Sequence, residues 1–169
     1  MSLPAKLKAM NLFNEGRSYL GQVDEVVLPK LTAKMEEWRG AGMDAPVDID
    51  LGMEKLSMEW TAGGWLPDAL KQFGSLNVSG VGLRFTGAIQ SDDTEQVKAV
   101  EVVVRGRHAE IDPGASKAGE DTAHKYTTSL SYYKLTIDGE VIHEIDVLNM
   151  VKNIGGKDLQ ADFRAALGV

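Results

Sequence analysis

Three histidines, two closely spaced arginines and one glycine-flanked loop are the residues of this chain whose types could do chemistry. His108, His124 and His143 are its only imidazoles, and no pair of them has the H-E-x-x-H or other close spacing that would set a metal. A site built across distant strands stays open on spacing alone, but structural or solvated histidines are the simpler expectation. No G-x-S-x-G is present to anchor a serine triad. Gly114 to Gly119 superficially resembles a phosphate loop, yet Glu120 and Asp121 stand where a P-loop carries Lys and Ser or Thr. Two carboxylates there would repel a nucleotide, so the segment reads as a solvated turn. With no cysteine in the chain, disulfides, thiol nucleophiles and thiolate metal sites are excluded together.

Arg105 and Arg107, followed by His108, put two cations on one strand face, where they could meet phosphates. Glu101 belongs to the same face and Glu110 and Asp112 follow, so salt bridges within or between subunits are the better expectation. Trp38, Trp60 and Trp65 could stack a ligand. Their β-rich or helix-edge settings point instead to core or interface anchors. The net charge of −7 disfavours general nucleic-acid binding, which gains affinity from Lys and Arg set against phosphates. Residues 41–60 concentrate the acidity, with five carboxylates and one lysine.

These side chains have to be positioned by sheet. Residues 126–147 read as two strand-forming runs turned at Asp138-Gly139, because a type I′ turn needs positive φ at both central positions. Residues 19–28 suggest a first strand closed by Pro29, whereas Leu31 to Trp38 fits helical and alternating spacing equally. Residues 39–46 are a loop by their glycines and proline. Val47, Ile49, Leu51 and Met53 alternate with Asp48, Asp50 and Gly52 as a strand does. The alternation changes phase at Leu56, Met58 and Trp60, which requires a break near Glu54 and Lys55. Pro67 to Phe73 fits a short helix with Pro67 in its first turn and Gly74 at its end. Val81 to Ile89 and Val97 to Arg107 alternate as strands, and residues 112–121 form a polar loop. Leu159, Phe163, Ala166 and Leu167 make a helical stripe at the C-terminus.

A chain of 169 residues with 43% hydrophobic content fits one domain, residues 1–169, able to bury its own core. It contains no apolar run long enough for a membrane span, and MSLPAKLKAMNLF lacks the features of a secretory signal, so a soluble protein made in the cytoplasm is expected.

Several strings are more specific. The segments MNLFNEG, LPKL, WRGAGMDAPVDIDLGMEKLSMEW, VVVRGRHAEIDPGASKAGED, SYYKLTIDGEVIHEIDVLNM and QADFRAALGV run through the chain in that order. In them the chain resembles the major tail tube proteins of contractile-tailed bacteriophages, the FII family, which includes the tube subunits of R-type pyocins. Only residues 74–80 depart as a variable segment. The resemblance implies an α+β, mostly β tail-tube sandwich or barrel with a short flanking helix and a C-terminal helix. Six subunits would close one inner barrel per ring. It implies a structural subunit, not an enzyme, with no cofactor and no metal, carried in the virion tail after assembly in the host bacterial cytoplasm. The implied partners are further copies of itself, the tail sheath, the tape-measure protein, a baseplate or tube initiator, a tail terminator, and DNA passing through the lumen without specific binding. A type VI secretion tube of related fold is the runner-up, and a monomeric ligand-binding β-barrel is the more distant alternative.

On that reading a projecting arm at about residues 39–59 covers a neighbour. Candidate subunit or ring contacts are Trp38, Arg39, Met43, Asp44, Pro46, Val47, Ile49, Leu51, Arg105, Arg107 and Asp112. Candidate lumen-facing groups are Asp48, Asp50, Glu101, Glu144 and Asp146.

Overall fold

Alternation of apolar and polar residues dictates sheet along most of the chain, and the computed structural model, which describes residues 1–169, is 52% strand and 7% helix. The strands are β1 (Lys6–Asn14), β2 (Arg17–Ser18), β3 (Val23–Val27), β4 (Ala33–Trp38), β5 (Val47–Met53) and β6 (Ser57–Ala62). They continue as β7 (Val81–Gln90), β8 (Val97–Asp112), β9 (His124–Ile137), β10 (Glu140–Asp146), β11 (Val151–Ile154) and β12 (Lys157–Asp158). Helix α1 (Pro67–Leu70) follows β6, and α2 (Ala161–Leu167) ends the chain. Ten strands form one antiparallel sheet in the order β12-β11-β10-β9-β8-β7-β1-β2, with β6 and β3 branching from β9. Strands β4 and β5 pair only with each other.

The long strands β8 and β9 make the branch possible. The first half of β9 pairs with β6, His124 opposite Ala62 and Tyr126 opposite Trp60, whereas its second half pairs with β10. Register shifts between Arg105 and Gly106 and between His108 and Glu110 mark where the β8–β9 pair bends. Gly106 is required there, since a Cβ would lie 1.9 Å from the Ser129 carbonyl oxygen. The bend places β6 and the first half of β9 over the sheet formed by β1, β7 and β8. Leu12, Leu83, Phe85, Val102 and Val104 share one buried cluster with Met58, Trp60 and Tyr126. Trp60 stacks on Tyr126 with centroids 4.0 Å apart.

The hairpin turn forms as its sequence requires, with Asp138 at φ 51° and Gly139 at φ 83°. The ambiguous segment before Trp38 is strand β4, and residues 54–56 break the alternation between β5 and β6. Three expectations need revision. The N-terminal strand is β1; within residues 19–28 only Val23–Val27 form a strand, β3, and Tyr19 sits buried between β2 and β3. The helix at Pro67 is one turn long, because residues 71–74 continue as a tight turn ending at Gly74 with φ 89°. Strand β8 runs on to Asp112, so that residue closes a strand instead of opening the loop.

Candidate assembly surfaces

The β4–β5 ribbon is amphipathic by register. Trp38 stands opposite Val47 and Glu36 opposite Ile49, while Glu37 faces Asp48 and Met35 faces Asp50. Directly opposed residues share a face, so Trp38, Val47, Ile49 and Leu51 lie on one side, with Glu36 among them, and Glu37, Asp48 and Asp50 on the other, with Met35. The apolar side is open to solvent: Trp38 is 59% exposed and Leu51 53%. At the tip, Arg39 Nε donates to the Met43 carbonyl at 3.2 Å and the Gly40 amide donates to Met43 Sδ at 3.1 Å. Asp44 and Pro46 are exposed on that loop. Asp50 accepts from the Gly52 amide at 2.8 Å, which fixes the positive φ of 112° near the ribbon root.

A second surface is the face of the main sheet turned away from the core. Cross-strand partners run Arg84, Val103, Lys134, Glu144, and beside them Gly82, Arg105, Tyr132, Asp146. Glu101, Glu144 and Asp146 thus share one face with Arg84, Arg105 and Lys134, far in topology from Asp48 and Asp50 on the ribbon. The salt bridge expected for Glu101 forms with a different arginine, Arg84 on the neighbouring strand, at 3.0 Å. Arg105 and Arg107 make no ion pair within the chain. They donate to the carbonyls of Ser79 at 3.2 Å and Leu76 at 3.5 Å, clasping the loop that follows α1. Tyr132 donates to Glu144 at 3.1 Å, and burial, aided by that carboxylate, pushes the phenol up to about 12. Asp146 accepts from the amide and side chain of Asn149. Asp112 accepts from the Gly114 amide at 2.9 Å and so shapes the start of the 113–123 loop.

None of the histidines converges on a shared site. His108 is buried and links Gln72 Oε1 at 3.0 Å to the Thr128 hydroxyl at 2.9 Å. Gln72 also exchanges two hydrogen bonds with the Asn14 amide, donating to its oxygen and accepting from its nitrogen. Gln72 Oε1 is therefore an acceptor, which puts the His108 proton on Nε2 and leaves Nδ1 to accept from Thr128. Burial holds this imidazole down at about 4. His124 is fully buried with Trp65 edge-on at 4.4 Å, and His143 is half-buried beside Tyr133. No group of three or more His, Cys, Asp or Glu is placed to hold a metal. Of the tryptophans, Trp60 is core, while Trp38 and Trp65 are mostly exposed.

Residues 4–168 match the model of the family described as phage tail tube protein FII. The chain belongs to that family. Over its full length it is 46% identical to the tail tube protein of Escherichia phage P2, all of which it covers. It is 38% identical to the major tail tube protein of Serratia phage KSP20, again over its full length and 99% of that protein. The fold is shared more widely. A chain of the sheath/tube terminator of an extracellular contractile injection system superposes with TM-score 0.60 at 8% identity, covering 79% of this chain and 96% of that one. A chain of the sheath-tube complex from such a system gives 0.59 at 8% identity, with 79% and 91% covered. The family read from the sequence strings therefore holds over the whole chain, and the protein is a tail tube protein of the contractile-tailed phage kind.

Two apolar surfaces escaped the candidate residues. Phe73, Leu76 and Val78 are exposed on the loop after α1, and Phe163 and Leu167 are exposed on α2. The α2 stripe is legible in the sequence, but the helix buries none of its residues within the chain.

Proposed function

We propose that residues 1–169 act as one tail tube domain that assembles with copies of itself into hexameric rings, stacked as a hollow tube inside a contractile sheath. The observation that carries this is the β4–β5 ribbon, which leaves a self-sufficient core and exposes four apolar side chains on one face. An isolated two-stranded hairpin is marginal in water, and covering that face on a neighbour would complete it. The arm is then this ribbon, with bounds shifted from the expected residues 39–59 to Ala33 and Met53, because Ser57 to Glu59 belong to the core strand β6. Strand edges give further support. Strand β1 pairs with β2 only at Phe13 and Asn14, and the Tyr19 amide donates to the Leu12 carbonyl, so its outer edge from Lys6 to Asn11 is left to join a neighbour's sheet, and ring closure removes such edges.

The polar sheet face bearing Glu101, Glu144 and Asp146 lines the channel in this reading. Arg84, Arg105, Arg107 and Lys134 outnumber those three carboxylates by one, so the net charge of the wall is small, it attracts phosphates weakly and DNA slides without being held. The sheath, tape-measure protein, baseplate initiator and terminator are the expected partners, and the role is structural, without catalysis. Negative-stain microscopy of the purified protein tests the reading. Rings or long hollow tubes are expected, whereas a stable monomer at every concentration and salt, with or without a baseplate initiator, would refute it. Deletion of residues 42–53 abolishes tubes on this account, and normal tubes from that deletion would remove the ribbon from it.

A further inference from the structure

We infer that the Met43 thioether is an oxidation-sensitive latch at the tip of the β4–β5 ribbon: sulfoxidation by a peroxide opens the tip of the free subunit and withholds that subunit from assembly. The latch stands on the free subunit alone, and only its consequence for assembly rests on the tube reading. Residues 40–43 form a tight turn, in which the Met43 amide donates to the Gly40 carbonyl at 3.2 Å and Gly42 adopts φ 84°. The Gly40 amide donates back to Met43 Sδ at 3.1 Å, and Arg39 Nε donates to the Met43 carbonyl at 3.2 Å. Three hydrogen bonds that close the tip thus run through one residue. The indole of Trp38 leans on the same place: a Cβ on Gly40 would lie 3.3 Å from Trp38 Nε1 and 3.5 Å from Met43 Sδ. A divalent sulfur suits this spot, since it accepts a weak hydrogen bond and packs well near an aromatic ring.

The chain has seven methionines, and Met43 is the one whose sulfur takes a hydrogen bond. Met58 is fully buried, and Met35, 51% exposed, lies on the ribbon's polar face opposite Asp50 with no bond to its sulfur to lose. Met43 is half-buried on a surface loop, within reach of a small oxidant. In the step, a sulfur lone pair attacks one oxygen of a hydroperoxide, the O–O bond breaks as the S–O bond forms, and the other oxygen leaves as water or an alcohol after proton transfer. Sulfur is oxidised by two electrons and the peroxide is reduced by two. The sulfur has then given a lone pair to oxygen and carries partial positive charge, so it no longer attracts the Gly40 N–H. Its new oxygen is strongly polar and turns to water, which takes the side chain off the indole. The Gly40 amide is released with it, and Trp38 loses the support that orients it. A thiol-dependent methionine sulfoxide reductase reverses the change.

The test begins on the free subunit, with dilute hydrogen peroxide as the oxidant. With no cysteine present, methionine takes up the oxidant without competition from thiols. Peptide mass spectrometry is expected to find sulfoxide at Met43, and amide exchange is expected to quicken several-fold at residues 38–43, Gly40 above all, while β6 and β9 keep their protection. Reductase with a thiol reductant returns both signals. Assembly is the second arm: from a partly oxidised preparation, tubes are depleted of Met43 sulfoxide and the unassembled fraction is enriched in it, whereas Met35 sulfoxide divides evenly. Met43→Leu makes that preparation indifferent to peroxide. Unchanged exchange at Gly40 once Met43 carries the oxygen, or Met43 left unoxidised where Met35 is oxidised, would overturn the latch. Equal Met43 sulfoxide in tubes and in the unassembled fraction would overturn its consequence for assembly. Untreated wild-type protein that makes neither rings nor tubes would overturn the tube reading, and the exchange arm would still decide the latch.

Discussion

Trp60 and Trp38 divide this molecule between them. Trp60 has no exposed surface, stacks on Tyr126 and Tyr19, and belongs to a cluster of 17 buried residues drawn from both layers of the bent sheet. Trp38 sits on a ribbon whose β4 residues are all exposed and whose strands pair with nothing but each other. The same residue type thus does opposite work: one tryptophan holds the subunit together from inside, and the other is available to hold subunits to one another. Stability and assembly are carried by separate regions, so mutations should separate them too.

The largest effect should follow Trp60→Ala, which removes an enclosed aromatic and costs about 3–5 kcal/mol of folding free energy in chemical denaturation. A loss below about 1 kcal/mol would mean that the core is not where stability resides. Next is the response of the core to acid. The folded His108 stays neutral down to about 4, whereas in the unfolded chain it takes up a proton near 6.5. Its contribution is therefore fully present above pH 6.5 and is lost as pH falls toward 4, by roughly 3 kcal/mol in total. His108→Gln flattens that part of the stability-against-pH curve, and an unchanged slope would show the imidazole to be solvated.

Gly139→Ala imposes a Cβ at φ 83° in the hairpin turn and is expected to cost about 1–2 kcal/mol, read as a lowered melting temperature. The smallest change in subunit stability, within about 0.5 kcal/mol, is expected for Trp38→Ala, which nonetheless abolishes tubes by microscopy. If Trp38→Ala unfolds the subunit as Trp60→Ala does, the division between the two regions fails.

The sequence revealed these regions unequally, for physical reasons. The Asp138-Gly139 turn is written in two adjacent residues, and the phase change at Glu54 and Lys55 is visible because a strand's side chains alternate strictly. Strand β1 was hidden because Lys6 to Asn14 buries only Leu12 and Asn14, the latter a polar residue whose amide pairs with Gln72. The short strands β11 and β12 carry no alternation long enough to read. Ion-pair partners were the least legible. Glu101 and Arg105 share a face, but cross-strand register gives Glu101 to Arg84, and Arg105 and Arg107 go to the Ser79 and Leu76 carbonyls of a loop whose path no local pattern specifies. The apolar ribbon residues were visible as an alternating run, and their meaning came from family resemblance combined with finding them uncovered.

Amide hydrogen exchange on the free subunit and on assembled tubes tests the division most directly, since exchange reports local opening element by element. The account predicts that β6 and β9, which enclose Trp60 and Tyr126, are protected in both forms, while β4 and β5 exchange fast in the subunit and slowly in the tube. Equal protection of β4 and β5 in the two forms would contradict it.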